Sequence, residues 1–257
     1  MLGTDFRVGS PVWLDLGSPD QEAAVGFYGA VFGWRYESLG AEAGGYGLFR
    51  LGGRVVAGIG PLTEEGAASA WTTYFRCADA EAAVRAVRAG GGEVRYGPVS
   101  LGAGTMAQVS DPEGARFAVL EGGGGLEVTS AGNALVWAEL HSADPEAAIR
   151  FYQGLFGWRY ADLPAPGLTY RVLSIAEGDQ EDGTFGGAAP LQGEQGMSRW
   201  VPYFAVADAD TVVTAVRAAG GTVLMPAADV PEAGRVALLT DPAGAVFAVL
   251  KPDPRQA

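Results

Sequence analysis

Histidine and cysteine are nearly absent from this chain. His141 and Cys77 are the only examples among 257 residues. A single cysteine cannot form a disulfide within the chain, and it cannot build a zinc site from several thiolates. We therefore expect Cys77 to be a small, buried, hydrophobic residue.

Long apolar runs are also missing. No stretch approaches the roughly 20 apolar residues that span a membrane, and the first 11 residues, MLGTDFRVGSP, lack the basic and then apolar order of a signal peptide. The sequence therefore predicts a cytoplasmic protein without a membrane partner. Positive charge is scarce as well, since the net charge is −13, and an acidic surface repels phosphates. Nucleic acid is excluded as a partner for that reason.

A long repeat dominates what the chain does contain. The segment VWLDLGSPDQEAAVGFYGAVFGWRY, residues 12–36, returns as VWAELHSADPEAAIRFYQGLFGWRY, residues 136–160. The second part of each half repeats too, because residues 71–94 return as residues 200–223, and SDPEGARFAVLE returns as TDPAGAVFAVLK. Gene duplication is the simplest explanation, and each half has two parts.

These four parts share one pattern of elements. Each has a short apolar strand, an Asp-containing turn, an Ala-rich helix, a glycine break, and segments with alternating apolar residues. The Asp is well placed to cap the helix N-terminus; the four are Asp20, Asp79, Asp144 and Asp208. The pattern predicts an α+β protein of four βαβββ modules in two pairs. A glycine-rich linker near residues 122–133 divides the chain into two predicted domains, 1–124 and 125–257.

The paired modules, the FYxxxFGW opening and the DPxGxxFAVL closing resemble the vicinal oxygen chelate superfamily. It includes glyoxalase I, extradiol dioxygenases and the bleomycin resistance proteins, and the resemblance covers almost the whole chain. It implies that each pair of modules forms a curled mixed sheet, an open cup. A divalent metal usually lies at the bottom of the cup, held by His, Glu or Gln of the first strands and Glu of the closing strands.

The positions that this resemblance assigns to metal ligands carry other residue types here. The first-strand positions are Trp13 and Trp137, and the closing-strand positions are Ala118 and Ala248. A chain with one histidine cannot form a site of two His and two carboxylates. We therefore predict no bound metal, and no other cofactor is indicated.

Side chains two residues apart share a face of a strand, which predicts what lines the cup. Asp15 shares a face with Trp13, and Glu139 and His141 share one with Trp137. The same alternation in the second modules adds Tyr74, Arg76 and Tyr203. The predicted catalytic residues are Glu139, His141 and Asp15, and the predicted ligand contacts are Trp13, Trp137, Tyr74, Tyr203 and Arg76.

Two interpretations remain open for the acids Asp15 and Glu139. Either acid is a general base whose pKa is raised by desolvation, or it is paired with an arginine and fixes module packing. Arg76 is the predicted partner of Asp15, whereas Ala205 stands at the corresponding place for Glu139. We therefore expect the second half to contain an aromatic-lined pocket with an unpaired carboxylate near its floor. By contrast, we expect four other recurring tryptophans to be structural residues of the core or of module interfaces: Trp34, Trp71, Trp158 and Trp200. The Asp of each DPxG turn, Asp111 or Asp241, is also expected to be structural.

The sequence predicts that the protein binds an aromatic or polyketide-like small molecule and acts without a metal. The protein would either catalyse proton transfer, as an isomerase, cyclase or lyase, or sequester a drug or metabolite without turnover. A metal enzyme that uses Asp15 and Glu139 as unconventional ligands is a third possibility. Because the duplication supplies module pairing within one chain, both a monomer and a homodimer are compatible with the sequence.

Overall fold

The computed structural model describes residues 2–62, 66–165, 168–191 and 197–253. In these ranges both halves of the chain show two βαβββ modules in succession, as predicted. The elements of the first half are β1 (Pro11–Ser18), α1 (Gln21–Phe32), β2 (Arg35–Ser38), β3 (Gly47–Leu51), β4 (Arg54–Pro61), β5 (Ala70–Cys77), α2 (Ala80–Ala89), β6 (Glu93–Leu101), β7 (Gly104–Ser110) and β8 (Arg116–Gly122). Those of the second half are β9 (Leu135–Ser142), α3 (Pro145–Phe156), β10 (Arg159–Ala165), β11 (Leu168–Ser174), β12 (Thr184–Pro190), β13 (Arg199–Ala205), α4 (Ala209–Ala218), β14 (Thr222–Val230), β15 (Gly234–Thr240) and β16 (Val246–Pro252).

Each half forms one curled, mixed sheet of eight strands within the described residues. The strand order is β2-β3-β4-β1-β5-β8-β7-β6 in the first half and β10-β11-β12-β9-β13-β16-β15-β14 in the second. The first strand of a module runs parallel to its fourth, as β9 does to β12, and the other neighbours within a module are antiparallel. The first strands of the modules therefore lie at the centre of each sheet. No helix in the described ranges is both long and apolar enough to cross a membrane.

The helices begin where the sequence predicts. Asp20, Asp79, Asp144 and Asp208 each accept a hydrogen bond from the backbone N–H three residues later. The glycine of each FGW motif ends its helix in the left-handed conformation, with φ of 70° at both Gly33 and Gly157. These caps satisfy terminal backbone groups that a helix leaves without partners.

The chain also forms two compact units, and each takes segments from both halves. The α2/α3 unit contains Met1–Trp13, Thr72–Gly125 and Trp137–Val201, and the α1/α4 unit contains Leu14–Trp71, Leu126–Val136 and Pro202–Ala257. The predicted domain boundary at residue 124 separates the two sheets, because each sheet takes its strands from one half of the chain. The two compact units instead group helices of the chain that pack together, α2 with α3 and α1 with α4. The division into domains 1–124 and 125–257 stays a prediction.

Each unit has a core of aromatic side chains around one tyrosine of the repeated FY motif. Tyr28 is fully buried in the α1/α4 unit and Tyr152 is 1% exposed in the α2/α3 unit. The rings around Tyr28 are Phe27, Phe32, Trp34, Phe49, Trp71 and Phe247. Those around Tyr152 are Phe117, Phe151, Trp158 and Trp200. The tryptophans that were predicted to be structural are therefore core residues: Trp34, Trp71, Trp158 and Trp200.

A buried hydrogen-bonded chain runs through each core. In the α1/α4 unit, Trp71 Nε1 donates to the Tyr28 hydroxyl at 3.0 Å, and that hydroxyl donates to Asp241 Oδ2 at 3.2 Å. In the α2/α3 unit, Trp200 Nε1 donates to Tyr152 at 2.9 Å, and Tyr152 donates to Asp111 Oδ2 at 3.1 Å. The other oxygen of each Asp accepts backbone N–H groups of its own DPxG turn. The repeated sequence segments therefore supply one such series of hydrogen bonds to each core.

Candidate functional site

The candidate site is built on β9, the first strand of the second half. Ala138 and Leu140 are fully buried on one face of this strand, and Trp137, Glu139 and His141 alternate with them on the other. The strand alternation predicted from the sequence is therefore confirmed.

Tyr170 joins these residues into one hydrogen-bonded group. Trp137 Nε1 donates to the Tyr170 hydroxyl at 2.9 Å, and this hydroxyl lies 2.6 Å from Glu139 Oε2. His141 Nε2 lies 2.8 Å from the other carboxylate oxygen, Oε1. We call Trp137, Glu139, His141 and Tyr170 the Glu139 network, and all four lie in the α2/α3 unit.

A glycine on the neighbouring strand makes room for Tyr170. Gly187 of β12 is the register partner of Glu139. A Cβ atom at Gly187 would come within 2.0 Å of the Tyr170 hydroxyl oxygen, which is far inside van der Waals contact. The hydroxyl can reach Glu139 only because position 187 has no side chain.

Burial fixes the protonation of Tyr170. Desolvation, followed by the nearby negative charge of Glu139, raises the pKa of Tyr170 well above its ordinary value of 10.0. The hydroxyl therefore keeps its hydrogen, accepts from Trp137 and donates to Glu139. Glu139 as a whole residue is only 8% exposed, and this hydrogen bond replaces contacts with water that its carboxylate loses on burial.

One expectation about Glu139 is wrong. Its carboxylate was predicted to be unpaired because Ala205 replaces the arginine of the first half. Its partners come instead from its own module, from Tyr170 on β11 and from His141 on the same strand. Two aromatic side chains, Trp137 and Tyr170, lie beside the Glu139 carboxylate. The strand alternation had placed Trp137 on this face.

Tyr170 is the site residue that the strand alternation did not find. It lies 31 residues from Glu139 in sequence, on a strand that was not assigned to the site. A signal was nevertheless present, because Tyr46 and Tyr170 are related by the same offset that relates Trp13 to Trp137.

The first half carries a reduced version of the same arrangement. In the α1/α4 unit, Asp15 is the register partner of Gly58, and a Cβ at Gly60 would lie 3.0 Å from the ring of Tyr46. Gly17 stands where the second half has His141. The first half therefore has an acid and a tyrosine on this face but no imidazole.

Four of the predicted residues have structural contacts of their own. In the α2/α3 unit, Trp13 and Tyr74 belong to an apolar cluster that also includes Met106, Ala118 and Phe6. Arg76 donates to the backbone carbonyls of residues 122, 123 and 124. Tyr203, in the α1/α4 unit, is 8% exposed and pairs with Ala248. The pairing of Asp15 with Arg76 and the role of these residues in ligand contact stay predictions.

The donor atoms near Glu139 do not fit a resident divalent metal. The described residues contain no group of three His, Cys, Asp or Glu side chains placed to hold an ion. Glu139 and His141 offer one carboxylate and one imidazole that are hydrogen-bonded to each other, whereas zinc sites use about three or four protein ligands and calcium sites about six to eight oxygens. Trp13, Trp137, Ala118 and Ala248, which stand at the positions that the resemblance assigns to ligands, have no donor for a metal.

Comparison with known protein families matches both halves. Residues 10–119 match "Glyoxalase/Bleomycin resistance protein/Dioxygenase superfamily", and residues 137–250 match "Glyoxalase-like domain". "Putative glyoxylase CFP32" of Mycobacterium bovis is 38% identical over 264 residues, covering 98% of each chain. "Anthracycline biosynthesis protein DnrV" of Streptomyces peucetius is 37% identical over 270 residues, covering 96% of this chain and 95% of the relative.

Solved structures share the fold at low sequence identity. The 2,2',3-trihydroxybiphenyl 1,2-dioxygenase of Sphingomonas wittichii is 17% identical, with a TM-score of 0.64 over 95% of this chain and 91% of the dioxygenase. A Mn(II)-bound glyoxalase of Novosphingobium aromaticivorans is 16% identical, with a TM-score of 0.62 over 95% of this chain and 82% of the glyoxalase. At such identities the likeness concerns the arrangement of the chain and not its chemistry.

Proposed function

Since the chain belongs to the glyoxalase/bleomycin resistance protein/dioxygenase superfamily, we propose that its second half binds an aromatic, polyketide-like molecule and transfers a proton on it without a metal. The observation that carries this proposal is the Glu139 network. It combines two aromatic side chains, a buried carboxylate and the only imidazole of the chain, contributed by β9 and β11 of the second sheet.

The chemistry of the network suits an aromatic ketone or phenol. Trp137 and Tyr170 offer flat apolar surface for a planar ring system. Glu139 and His141 offer a proton acceptor beside it, and a hydrogen on carbon next to a carbonyl, or on a phenol, is acidic enough for such a group to remove. The name of the Streptomyces relative, which refers to anthracycline biosynthesis, supports an aromatic polyketide as the ligand class.

Binding can be tested by titrating the protein with a hydroxyanthraquinone that carries an acetyl group, whose methyl hydrogens lie next to a carbonyl, and following tryptophan fluorescence. Trp137→Ala should weaken binding by about 2 kcal/mol, or about 30-fold, because stacking and buried apolar area are lost. Tyr160→Ala is the control, because this ring is 42% exposed and lies outside the network. Equal affinities of the wild type and Trp137→Ala would contradict the proposed location.

Sequestration without turnover is the second candidate function, and the net charge of −13 favours it for a basic ligand. Glu139→Gln separates the two. If the protein transfers protons, the variant should keep its affinity and exchange the acetyl hydrogens of the ligand with D2O more slowly than the wild type, as measured by NMR. If it sequesters, the wild type should show no exchange above the rate in buffer, and the variant should bind an amino-substituted anthraquinone more weakly.

A further inference from the structure

The hydrogen bonds around Glu139 differ in what they allow its two oxygens to do. Tyr170 donates to Oε2 at 2.6 Å, and Trp137 in turn donates to Tyr170 at 2.9 Å. Both donors are fixed, because an indole nitrogen can only donate and burial keeps the Tyr170 hydroxyl protonated. Oε2 is therefore committed to accepting a hydrogen bond and is poorly placed to take a proton from a ligand.

The second oxygen is occupied by the imidazole. His141 Nε2 lies 2.8 Å from Oε1, and an ionised carboxylate only accepts hydrogen bonds. The neutral imidazole must then carry its hydrogen on Nε2. In that tautomer Nδ1 has the lone pair, and among the described residues no hydrogen bond involves this atom.

From this arrangement we propose that Nδ1 of His141 is the atom that takes and returns the proton, and that Glu139 is a positioning residue held by Tyr170 and Trp137. This inference rests on the proposed function for the identity of the reaction. It reverses the roles that the sequence suggested, in which Glu139 was the base and His141 assisted. In this arrangement the imidazole of His141 transfers the proton, and the buried Glu139 carboxylate orients the imidazole.

The step balances without an oxidant or a further reactant. Neutral His141 removes a proton from a C–H next to a carbonyl of the bound molecule, and the electron pair of that bond stays on the molecule as an enolate. His141 becomes a cation beside the Glu139 carboxylate, which is a stabilising ion pair. The imidazolium then returns its proton to a carbon or oxygen of the same enolate, which restores the neutral histidine and gives an isomer.

The only histidine of the chain makes this proposal directly measurable. Protein labelled with 15N has one imidazole, so its two ring nitrogens give signals that need no assignment by mutation. In the neutral ring, a hydrogen on Nε2 and a lone pair on Nδ1 support the proposal. A hydrogen on Nδ1 overturns it.

Variants test whether Glu139 orients the ring. In Glu139→Gln the amide can either accept from or donate to Nε2, so the ring should lose its fixed Nε2–H tautomer in the 15N spectrum, and exchange of the acetyl hydrogens should slow. Tyr170→Phe should slow the exchange about tenfold by removing one hydrogen bond to the carboxylate. Tyr46→Phe, the matched change in the first half, should leave the His141 signals in place. An unchanged exchange rate in Glu139→Gln protein whose ring has lost the Nε2–H tautomer would overturn the role of His141.

The two proposals fail in different ways. The tautomer is measured on the protein without ligand, and it decides the orientation of His141 whether or not the anthraquinone binds. Failure of the proposed function would appear as unchanged tryptophan fluorescence and unexchanged hydrogens with the wild-type protein.

Discussion

Asp111 and Asp241 combine two tasks in one side chain. Each is 2% exposed, each closes a DPxG turn with one oxygen, and each accepts a tyrosine hydroxyl with the other. Burial is the largest influence on both groups and raises the pKa of each above the ordinary value of 3.8, although the hydrogen bonds oppose it. Their negative charge is therefore costly to the fold, and their hydrogen bonds offset that cost only in part.

Asp241→Asn should reduce the free energy of unfolding by about 1 to 3 kcal/mol near pH 7. The new amide nitrogen would face the Tyr28 hydroxyl, which already accepts from Trp71 and would lose the acceptor for its own hydrogen. Asp111→Asn is the matched change in the other core and should behave alike.

The pH dependence of this loss has a defined sign. A carboxyl whose pKa is raised in the folded state contributes stability that is present below its unfolded pKa and is lost as the pH rises through the folded pKa. The asparagine variants lack this contribution. Urea unfolding at about pH 7 and about pH 4.5 should therefore show a larger difference between wild type and variant at the lower pH. A difference that shrinks on acidification would contradict the assignment.

At the scale of elements, the start of α3 differs from that of its counterpart α1. Glu113, from the DPEG turn before β8, accepts Ser142 Oγ at 2.6 Å, Ser198 Oγ at 2.7 Å and the N–H of Asp144 at 2.7 Å. All of these residues belong to the α2/α3 unit. The equivalent position in the second half is Ala243. One carboxylate thus ties a turn of the first half to the helix that leads away from the candidate site.

Glu113→Ala should lower the free energy of unfolding by about 2 kcal/mol, because several hydrogen bonds to a charged group are lost together. The control is Glu81→Ala in the first turn of α2, where the side chain is exposed and the expected change is about 0.5 kcal/mol. Urea unfolding followed by circular dichroism measures both. Equal effects of the two substitutions would show that the contacts of Glu113 add nothing to stability.

At the scale of the whole molecule, strand pairing and core packing divide the chain differently. Each sheet takes its strands from one half, whereas each compact unit takes segments from both. In the α1/α4 unit, for example, Tyr28 of the first half packs against Phe247 of the second, with ring centroids 5.8 Å apart. A half expressed alone would form its strands but would expose aromatic residues that a core normally buries.

Fragments 1–124 and 125–257 should therefore fail to unfold cooperatively when each is a monomer, and should recover the native transition when mixed. The reason is that exposing large aromatic side chains costs about 1.5 to 3 kcal/mol for each one. Thermal unfolding of the separate and mixed fragments, with masses from light scattering, checks this. A stable monomeric half with a cooperative transition of its own would contradict it.

The sequence by itself determined the features that depend on neighbouring residues. The four modules, the Asp caps of the helices, and the shared face of Trp137, Glu139 and His141 follow from strand alternation and from hydrogen bonds that span three residues. The superfamily could also be inferred from the sequence, because its motifs recur at fixed spacing in both halves. Such local rules hold in any fold that contains the element.

Only the tertiary structure decided which distant residues meet. Tyr170 reaches Glu139 from a strand 31 residues away, and Tyr28 reaches Asp241 across 213 residues. The first contact depends on the register of β12 against β9 and on the missing side chain of Gly187, and the second on which module packs against which helix. Several pairings of near-identical modules satisfy the same local pattern, and the choice between them is made by the close packing of buried side chains.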